Sequence, residues 1–300
     1  MSFNISGTTQ QYLADLERNQ TQLQNAQSQI SSGVRVGKAS DDPSAVAAIL
    51  KIQASLDRNE QVQTNLSGVK AEVSTADSAL QSAISAVESA ISIAAQGATS
   101  TASAQTRASL AQQVSGLQQT LVGIAQTTVN GRYIFSGDQD NQPPYQLDAS
   151  QPNGVKQVAS GTATRTIQSI DGTSFAVAKT AQEIFDSPGA SVFAAIQSLQ
   201  TALANNDTAG IASAADSLKS ADTQVNSQLA FYGEVENRVQ GATDLAQKFQ
   251  TQQTTDLSQA RDTDVPTTAI EISQMQIQQQ ASMQVEANVA QMKNLFSFLA

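Results

Sequence analysis

The sequence predicts a mainly α-helical protein: a long antiparallel coiled-coil-like helical rod with a small β-rich insertion domain and paired terminal helices. Three observations support this class. Apolar residues recur every three or four positions through most of the chain, which is the spacing of helices that pack along their length. Apolar residues make up 40% of the chain, but aromatic residues only 4% and tryptophan is absent, which favours aliphatic helix packing. Turn-forming pairs cluster between Asn130 and Pro188.

The charge and the missing residue types exclude several classes of function. The formal net charge is −10 and the chain has no run of Lys or Arg, so we expect neither nucleic acid nor an anionic membrane as a partner. His and Cys are both absent, which excludes thiol nucleophiles, His bases, Ser-His-Asp triads and ordinary zinc sites. We therefore expect no enzyme activity and no catalytic, cofactor-binding or metal-binding residues.

The start of the chain carries no recognisable targeting segment. Residues Met1 to Gln20 have neither a basic start nor an apolar run, so no cleaved secretory signal is expected. No stretch is long and apolar enough to predict a membrane span. If the protein leaves the cell, we expect a route that does not read a classical signal peptide.

The N-terminal segment predicts an amphipathic helix with a weak apolar seam. Gln20 and Gln27 occupy seam positions between the apolar ones, so this helix should depend on neighbours. The run Ser31-Ser32-Gly33 ends the helix, and Asp42-Pro43 begins the next, because Asp caps free N–H groups and Pro suits the first helical position. The apolar seam residues are Leu13, Leu16, Leu23 and Ile30.

The clearest stripe predicts a helix of about 50 residues followed by an antiparallel return helix. Its residues step by three or four, and a Ser/Thr cluster after Gly97 marks the turn. The long stripe consists of Val62, Leu66, Val69, Val73, Ala76, Leu80, Ile84, Val87, Ile91 and Ala94, and the return stripe of Leu110, Val114, Leu117, Leu121 and Ile124.

Turn pairs and short strand-like runs alternate in the middle of the chain, which predicts a β-rich insertion made of hairpins. The turn pairs are Ser136-Gly137, Asn153-Gly154, Ser160-Gly161 and Asp171-Gly172. The strand-like runs are Arg132–Phe135, Val155–Val158, Arg165–Ile170 and Phe175–Val177.

Helical spacing then resumes and continues to the end of the chain. Asp264-Val265-Pro266 separates a second long helix from a terminal one, because Pro lacks a donor and restricts the residue before it. The three stripes are Val192, Ile196, Leu199 and Leu203; then Ile211, Leu218, Val225, Leu229, Tyr232, Val239, Phe249 and Leu257; then Ile270, Ile277, Ala281, Val285, Val289, Met292, Phe296 and Leu299. We expect terminal helices over 1–42 and 264–300, a helical rod over 43–129 and 190–263, and the insertion over 130–189.

Three short motifs suggest chemistry, but each has a simpler structural explanation. The segment from Ser32 to Ala39 is similar to a phosphate-binding loop, yet it lacks the first glycine and the hydroxyl that holds magnesium. Asp138 to Asn141 matches the start of a calcium loop, but Pro143 stands where that loop needs glycine. The pair Asp41-Asp42 could be an acid and a base, although a helix cap is the simpler interpretation.

The terminal stripes are the candidate functional residues. We expect the central stripes to form an intramolecular core. The terminal helices are each set apart by a breaker, and pairing them with each other would leave a large exposed flank, so we expect them to pack against other subunits. The predicted assembly interface consists of Leu13, Leu16, Leu23, Ile30, Ile277, Val285, Val289, Met292 and Phe296.

Two terminal signatures resemble one family. The run Gln29 to Arg35, followed by Lys38 to Ala45, closely resembles the N-terminal signature of bacterial flagellins and their relatives. Thr267 to Leu299 is similar to the flagellin-type terminal helix. Within the superfamily, Asn130 to Gly137 resembles the hook-associated protein 3 group, the hook–filament junction proteins, and the ending Asn294 to Ala300 departs from the usual flagellin ending.

The resemblance implies a structural role at the hook–filament junction of an extracellular flagellum. Its implied partners are copies of the same chain in a helical ring, the first hook-associated protein on the hook side, and flagellin on the filament side. It also implies export through the flagellar type III apparatus, with a cytoplasmic chaperone holding the C-terminal helix. In this family the terminal helices order on assembly into an inner tube, and no cofactor is implied.

Three alternatives remain open from the sequence. The nearest is flagellin itself, the bulk filament subunit. The second is a type III-secreted interaction protein unrelated to motility, which the matched signatures at both ends disfavour. The third is an enzyme hosted in the β-rich insertion, where about 60 residues without His or Cys make a poor site.

Overall fold

The structure is a computed structural model, and long helices account for most of it. It describes residues 7–162 and 165–298, and the side chains of 10–162 and 165–288. The described chain forms seven helices: α1 (Gly7–Ser32), α2 (Pro43–Ala98), α3 (Ala104–Ala125), α4 (Ala181–Phe185), α5 (Val192–Ala204), α6 (Thr208–Arg261) and α7 (Val265–Phe298).

Short strands make up the remaining regular structure of the described residues. They pair in sequence order as four antiparallel two-stranded sheets. The strands are β1 (Thr128–Val129), β2 (Arg132–Tyr133), β3 (Tyr145–Leu147), β4 (Val155–Gln157), β5 (Thr166–Gln168), β6 (Ser174–Ala176), β7 (Asp186–Ser187) and β8 (Ala190–Ser191). Long helices, small sheets and contact between the terminal helices α1 and α7 confirm the predicted fold class.

The chain divides into two compact units, which we call the terminal unit and the central unit. The terminal unit comprises the residues before Asn59 and after Phe249. The central unit runs from Asn59 to Phe249 and contains β1 to β8. Each unit is described separately below.

In the central unit, the buried seam of α2 includes small residues as well as large apolar residues of the predicted stripe. Buried positions recur every seven residues in two rows, and the second row carries small side chains. The predicted Ile84 and Ile91 lie half-buried at the flank, while Ala83 and Ala90 are fully buried in the seam. Alanine allows neighbouring helices to approach closely, so the seam is set by small residues as much as by large ones. The rows are Asn59, Leu66, Val73, Leu80, Val87 and Ala94, and Ala76, Ala83, Ala90 and Gly97.

An aromatic cluster fills the core where the hairpins meet the helices. The Phe135 ring contacts Phe185 edge-on, with centroids 6.0 Å apart, and Tyr232 at 6.4 Å. The Phe193 ring lies 4.9 Å from Tyr145 and 6.0 Å from Phe185. All five side chains are almost completely buried, so the hairpins share one core with the long helices.

The run Asn130 to Gly137 proves to be a structural motif of this core. Asn130 and Gly131 have φ values of 52° and 75°, which form the tight turn between β1 and β2. Arg132 then forms ion pairs with Glu72 of α2 at 3.6 Å and with Asp140 at 3.4 Å. Glu72 also pairs with Arg165, so this one carboxylate of α2 links two hairpin segments.

A buried arginine ties together two turns of the central unit. Arg107 of α3 donates from Nε to the Gly97 carbonyl at 2.7 Å and from Nη2 to the Thr99 carbonyl at 3.0 Å. Its Nη1 donates to Asn206 Oδ1 in the turn before α6. Gly97 packs closely here, because a Cβ at this position would lie 2.5 Å from a Leu203 methyl group and would force that side chain to move.

Candidate assembly interface

In the terminal unit, α1 and α7 contact each other through faces of limited apolar content. Leu16, Leu23 and Ile30 of α1 are half-buried. Ile272 and Met275 of α7 are also half-buried, within a row spaced by four and three residues that is otherwise polar. We call that row the inner face of α7: Thr268, Ile272, Met275, Gln279, Ser282 and Glu286.

A second apolar row on α7 lies exposed. Ile270, Ile277 and Val285 are 59%, 66% and 62% exposed. At about 3.6 residues per turn, these three lie on roughly the opposite side of α7 from the inner face. We call Ile270, Ile277, Ala281 and Val285 the outer stripe. The chain therefore leaves the more apolar side of α7 without an intramolecular partner among the described residues.

The structure divides the nine predicted interface residues into groups. Leu16, Leu23 and Ile30 line the half-buried side of α1, and Leu13 beside them is 47% exposed. Ile277 and Val285 belong to the outer stripe. The remaining three side chains, Val289, Met292 and Phe296, lie outside the described side chains. The assignment of all nine to an assembly interface stays a prediction.

Sequence reasoning missed the inner face of α7 because its spacing is carried by polar residues. Gln279, Ser282 and Glu286 hide the period when only apolar positions are followed. Testing every register of α7 for a row spaced by four and three residues would have found it. The partner face is polar too: the buried Oδ1 of Asn19 on α1 has no hydrogen-bond partner among the described residues.

The two breakers of the terminal unit are joined by backbone hydrogen bonds, and we call this arrangement the clasp. The amides of Arg35 and Val36 both donate to the Arg261 carbonyl, at 2.8 Å and 3.2 Å. The Thr263 amide donates to the Gly33 carbonyl at 2.9 Å. Gly33 has a φ of 72°, a conformation that favours glycine, so the chain can turn there out of α1.

Arg35 and Asp42 complete the clasp with side-chain contacts. Arg35 Nη2 donates to the Ala260 carbonyl at 2.8 Å, and Nη1 lies 3.3 Å from Asp42 Oδ2. Asp42 Oδ1 accepts from Ser44 Oγ at 2.6 Å and from the Ala45 amide at 3.1 Å, which caps α2 as predicted. Hydrogen bonds from Ser44, Ala45 and Arg35 lower the pKa of the Asp42 carboxyl to about 2.

The loop that is similar to a phosphate-binding loop already holds an anion from its own chain. Asp41 Oδ2 accepts from the amides of Gly37 at 3.0 Å and Lys38 at 2.8 Å. These are the donors that a phosphate would need. The structure therefore gives the loop a self-contained role, with Asp41 fixing the path from the clasp to α2.

A groove of about 750 Å³ lies beside this loop in the terminal unit. Its apolar lining includes Val36, Val46 and Ile49, together with Leu50, which is 59% exposed. Lys38 also lines it, and its ammonium group forms no ion pair with the described residues. The groove therefore combines an apolar patch with polar and charged side chains, and among these the Lys38 ammonium group has no ion-pair partner in the described part of the chain.

The described residues contain no group of three or more His, Cys, Asp and Glu side chains arranged to hold a metal ion. Over the same residues, no helix is both long enough and apolar enough to span a membrane. The Asp138–Asn141 segment participates in turn contacts, with the Gln139 amide donating to the Ser136 carbonyl at 3.2 Å.

Comparison with known families matches both ends of the chain. Residues 3–140 match the bacterial flagellin N-terminal helical region, and residues 215–299 match the bacterial flagellin C-terminal helical region. Together the two matches cover well over half of the chain. Among curated proteins, none matches this chain in sequence.

Solved structures of similar fold carry flagellar hook names. One described as a flagellar hook-associated protein from Vibrio parahaemolyticus has a TM-score of 0.67 and 18% identity, over 74% of this chain and 100% of that chain. Hook associated protein-3 from Legionella pneumophila has a TM-score of 0.62 and 15% identity, over 70% of this chain and 98% of that chain. FlgL from Xanthomonas campestris has a TM-score of 0.59 and 14% identity, over 70% of this chain and 99% of that chain. At these identities the likeness establishes the fold.

Proposed function

This chain belongs to the bacterial flagellin superfamily and is a structural, non-enzymatic component of the flagellum, and from that premise we propose that it acts as the adaptor at the hook–filament junction on which the flagellin filament assembles. The run Asn130 to Gly137 carries the proposal, because it resembles the hook-associated protein 3 group. Its tight turn, its ion pairs to Glu72 and Asp140, and its buried Phe135 give this signature a specific place in the core. The hook-associated names of the solved structures with the same fold support the same choice.

The terminal unit supplies the assembly contacts in this proposal. The terminal helices over 1–42 and 264–300 form the inner-tube region, 43–129 and 190–263 the helical rod, and 130–189 the outer domain. Leu13, Leu16, Leu23, Ile30, Ile277, Val285, Val289, Met292 and Phe296 carry the subunit contacts. The outer stripe supports this assignment, since large exposed apolar side chains on one helix face mark interaction surfaces.

The proposed partners follow from the position of the adaptor. Copies of this chain form a helical ring, the first hook-associated protein lies on the hook side, and flagellin lies on the filament side. A cytoplasmic chaperone covers the C-terminal helix before export through the flagellar type III apparatus, which uses no cleaved signal peptide. The formal net charge of −10 and the absence of a run of Lys or Arg are consistent with protein partners.

Deletion of the gene, followed by electron microscopy of the cells, tests the proposal. We expect hooks without filaments, and flagellin shed into the medium, because the filament would lack its attachment layer. Complementation with the intact gene is the control. Normal filaments on the deletion strain would refute the adaptor role. Hooks without filaments but without shed flagellin would instead indicate that this chain is the filament subunit itself.

A further inference from the structure

Two exposed surfaces of the terminal unit differ in shape: the outer stripe of α7 and the groove beside the clasp. The stripe presents aliphatic side chains that are more than half exposed, including Ile277 at 66%. The groove is a concave surface of mixed character, in which polar side chains such as Asn25 and Gln29 lie beside an apolar patch that includes Val46 and the exposed Leu50. The stripe is a convex apolar ridge, and the groove is a recess that contains an apolar patch.

Their charges are also complementary. Lys38 lines the groove with an ammonium group that pairs with no acid among the residues described. Glu271 is exposed at the flank of the outer stripe, and its carboxylate has no described ion-pair partner. From Val265 to Met292 the sequence of α7 contains two glutamates and no Lys or Arg, so this part of the helix is acidic. An acidic, aliphatic helix face suits a groove that has an apolar patch beside a lysine without an ion-pair partner.

The stripe cannot enter the groove of its own chain. The groove is lined in part by α1 residues, among them Asn25 and Gln29. Helix α7 contacts α1 through its inner face, and the outer stripe lies on the opposite side. Turning the stripe toward its own groove would require α7 to give up the inner face. An outer stripe that enters this groove must therefore belong to another molecule.

We propose that the groove of one copy receives the outer stripe of α7 from a second copy of this chain. Ile270 and Ile277 pack against Val46, Ile49 and Leu50, and Glu271 pairs with Lys38. This inference rests on the proposed function, since it names the contact that joins neighbouring copies in the ring. The two surfaces differ, so the contact is heterologous and repeats head to tail instead of closing a dimer.

Site-directed cross-linking tests the contact, because the natural chain contains no cysteine. One copy carries Leu50→Cys and a second, differently tagged copy carries Ile277→Cys, both produced in cells that assemble flagella. A short bis-maleimide reagent is applied to purified hook–filament structures. We expect a dimer carrying both tags, present only when both variants are present and absent from the unassembled protein.

Gln276→Cys is the matched control, because Gln276 is exposed on the same helix but points well away from the stripe. Its cross-link to Leu50→Cys should be at least about fivefold weaker than that of Ile277→Cys. Equal yields from the two positions would overturn the proposal. Because filaments still form in these cells, that result would leave the adaptor role intact.

A charge exchange gives a second, independent test. Lys38→Glu alone should lower the amount of this protein bound to purified flagella by about tenfold, through repulsion from Glu271. Adding Glu271→Lys to the same chain should restore binding, because every copy then carries the reversed pair. Circular dichroism of each monomer checks that the helices remain. Failure of the double variant to recover would overturn the pairing, whereas filaments on a deletion strain would overturn the proposed function.

Discussion

The central and terminal units have similar apolar spacing along their helices, but they bury very different amounts of apolar side chain. In the central unit, Leu66, Leu80, Val114 and Val225 are fully buried along the helices, and the aromatic cluster adds five large side chains. In the terminal unit, the buried apolar side chains among those described are Ala26, Val36 and Ile49. An apolar period therefore indicates which face of a helix seeks a partner. It does not indicate whether the same chain provides that partner.

The difference has an energetic consequence for each unit. Burial of a large aliphatic side chain contributes about 1.5–3 kcal/mol, and the central unit contains many such side chains. Ordering helices α1 and α7 costs about 1.5 kcal/mol of conformational entropy per residue. Half-buried leucines and polar seam residues provide the compensation. We expect the central unit to be stable alone and the terminal helices to be stabilised by neighbouring subunits.

The largest expected effect comes from the aromatic cluster. Phe193→Ala should lower the free energy of unfolding of the central unit by about 3–5 kcal/mol, because it leaves a cavity between Tyr145 and Phe185. Urea denaturation followed by circular dichroism measures it. Phe249→Ala, at a side chain that is 41% exposed, is the control and should cost under about 1 kcal/mol. Similar losses at both positions would contradict the burial difference.

Amide hydrogen exchange compares the two units directly in one molecule. Amides of α1 and α7 should open at free energies at least about 2 kcal/mol below those of α3 and α5, roughly a thirtyfold faster exchange. The reason is the limited apolar burial between α1 and α7. The measurement is mass-resolved exchange on the free monomer and on purified flagella. Equal protection in the monomer would show that the terminal unit needs no neighbour.

The seam of α2 shows how far the sequence can be read. Helix positions, the breaks near Gly33 and Asp264, and a hairpin around Asp171-Gly172 follow from local chemistry and are all present. The burial of Ala83 instead of Ile84 in the seam does not follow from local chemistry, because it depends on which helices lie on each side of α2. Strands β1, β3, β7 and β8 were missed for a similar reason, since runs of two or three residues carry no period.

The interface residues show the same limit. The apolar spacing places Ile277 and Val285 in one row on α7, but the pattern could not reveal that α1 contacts the opposite side, and their role in assembly stays a prediction. Arg35 was part of a recognised signature, yet its bond to the Ala260 carbonyl joins residues 225 positions apart. Such contacts are fixed by tertiary geometry and leave no local trace.

Two aspartate substitutions separate the faces of the terminal unit. Leu16→Asp should lower the stability of the α1–α7 pair by about 1–2 kcal/mol, because Leu16 is half-buried there. Ile277→Asp should change monomer stability by less than about 0.5 kcal/mol, because Ile277 is exposed. Both should prevent incorporation into flagella. Thermal circular dichroism and quantitative blotting measure the two effects, and normal incorporation of both variants would contradict the assembly role.

The smallest expected effect concerns the clasp at low pH. The lowered pKa of Asp42 means that its ionised form favours the folded clasp. The stabilisation is complete above the ordinary carboxyl pKa of about 4, and is lost as the pH falls toward about 2. Exchange of the Arg35 and Thr263 amides, corrected for intrinsic rates, should reveal this loss.

Asp42→Asn should flatten that pH dependence while keeping most of the helix cap, because Asn caps helices about as well as Asp. Asp57→Asn, at an exposed position of α2, is the control and should leave the acid response unchanged. A variant clasp that loosens between pH 4 and pH 2 to the same extent as the natural one would exclude Asp42 as the cause.

Helix α7 presents one face to α1 and an apolar row on the other side, which leaves it few neutral positions. A helix with a single buried stripe can change about half of its surface freely during evolution. Here, contact with α1 constrains one side of the helix and the outer stripe constrains the opposite side. We expect related chains to vary less along α7 than along the exposed side of α3, and a deep mutational scan scored by swimming would measure that constraint position by position.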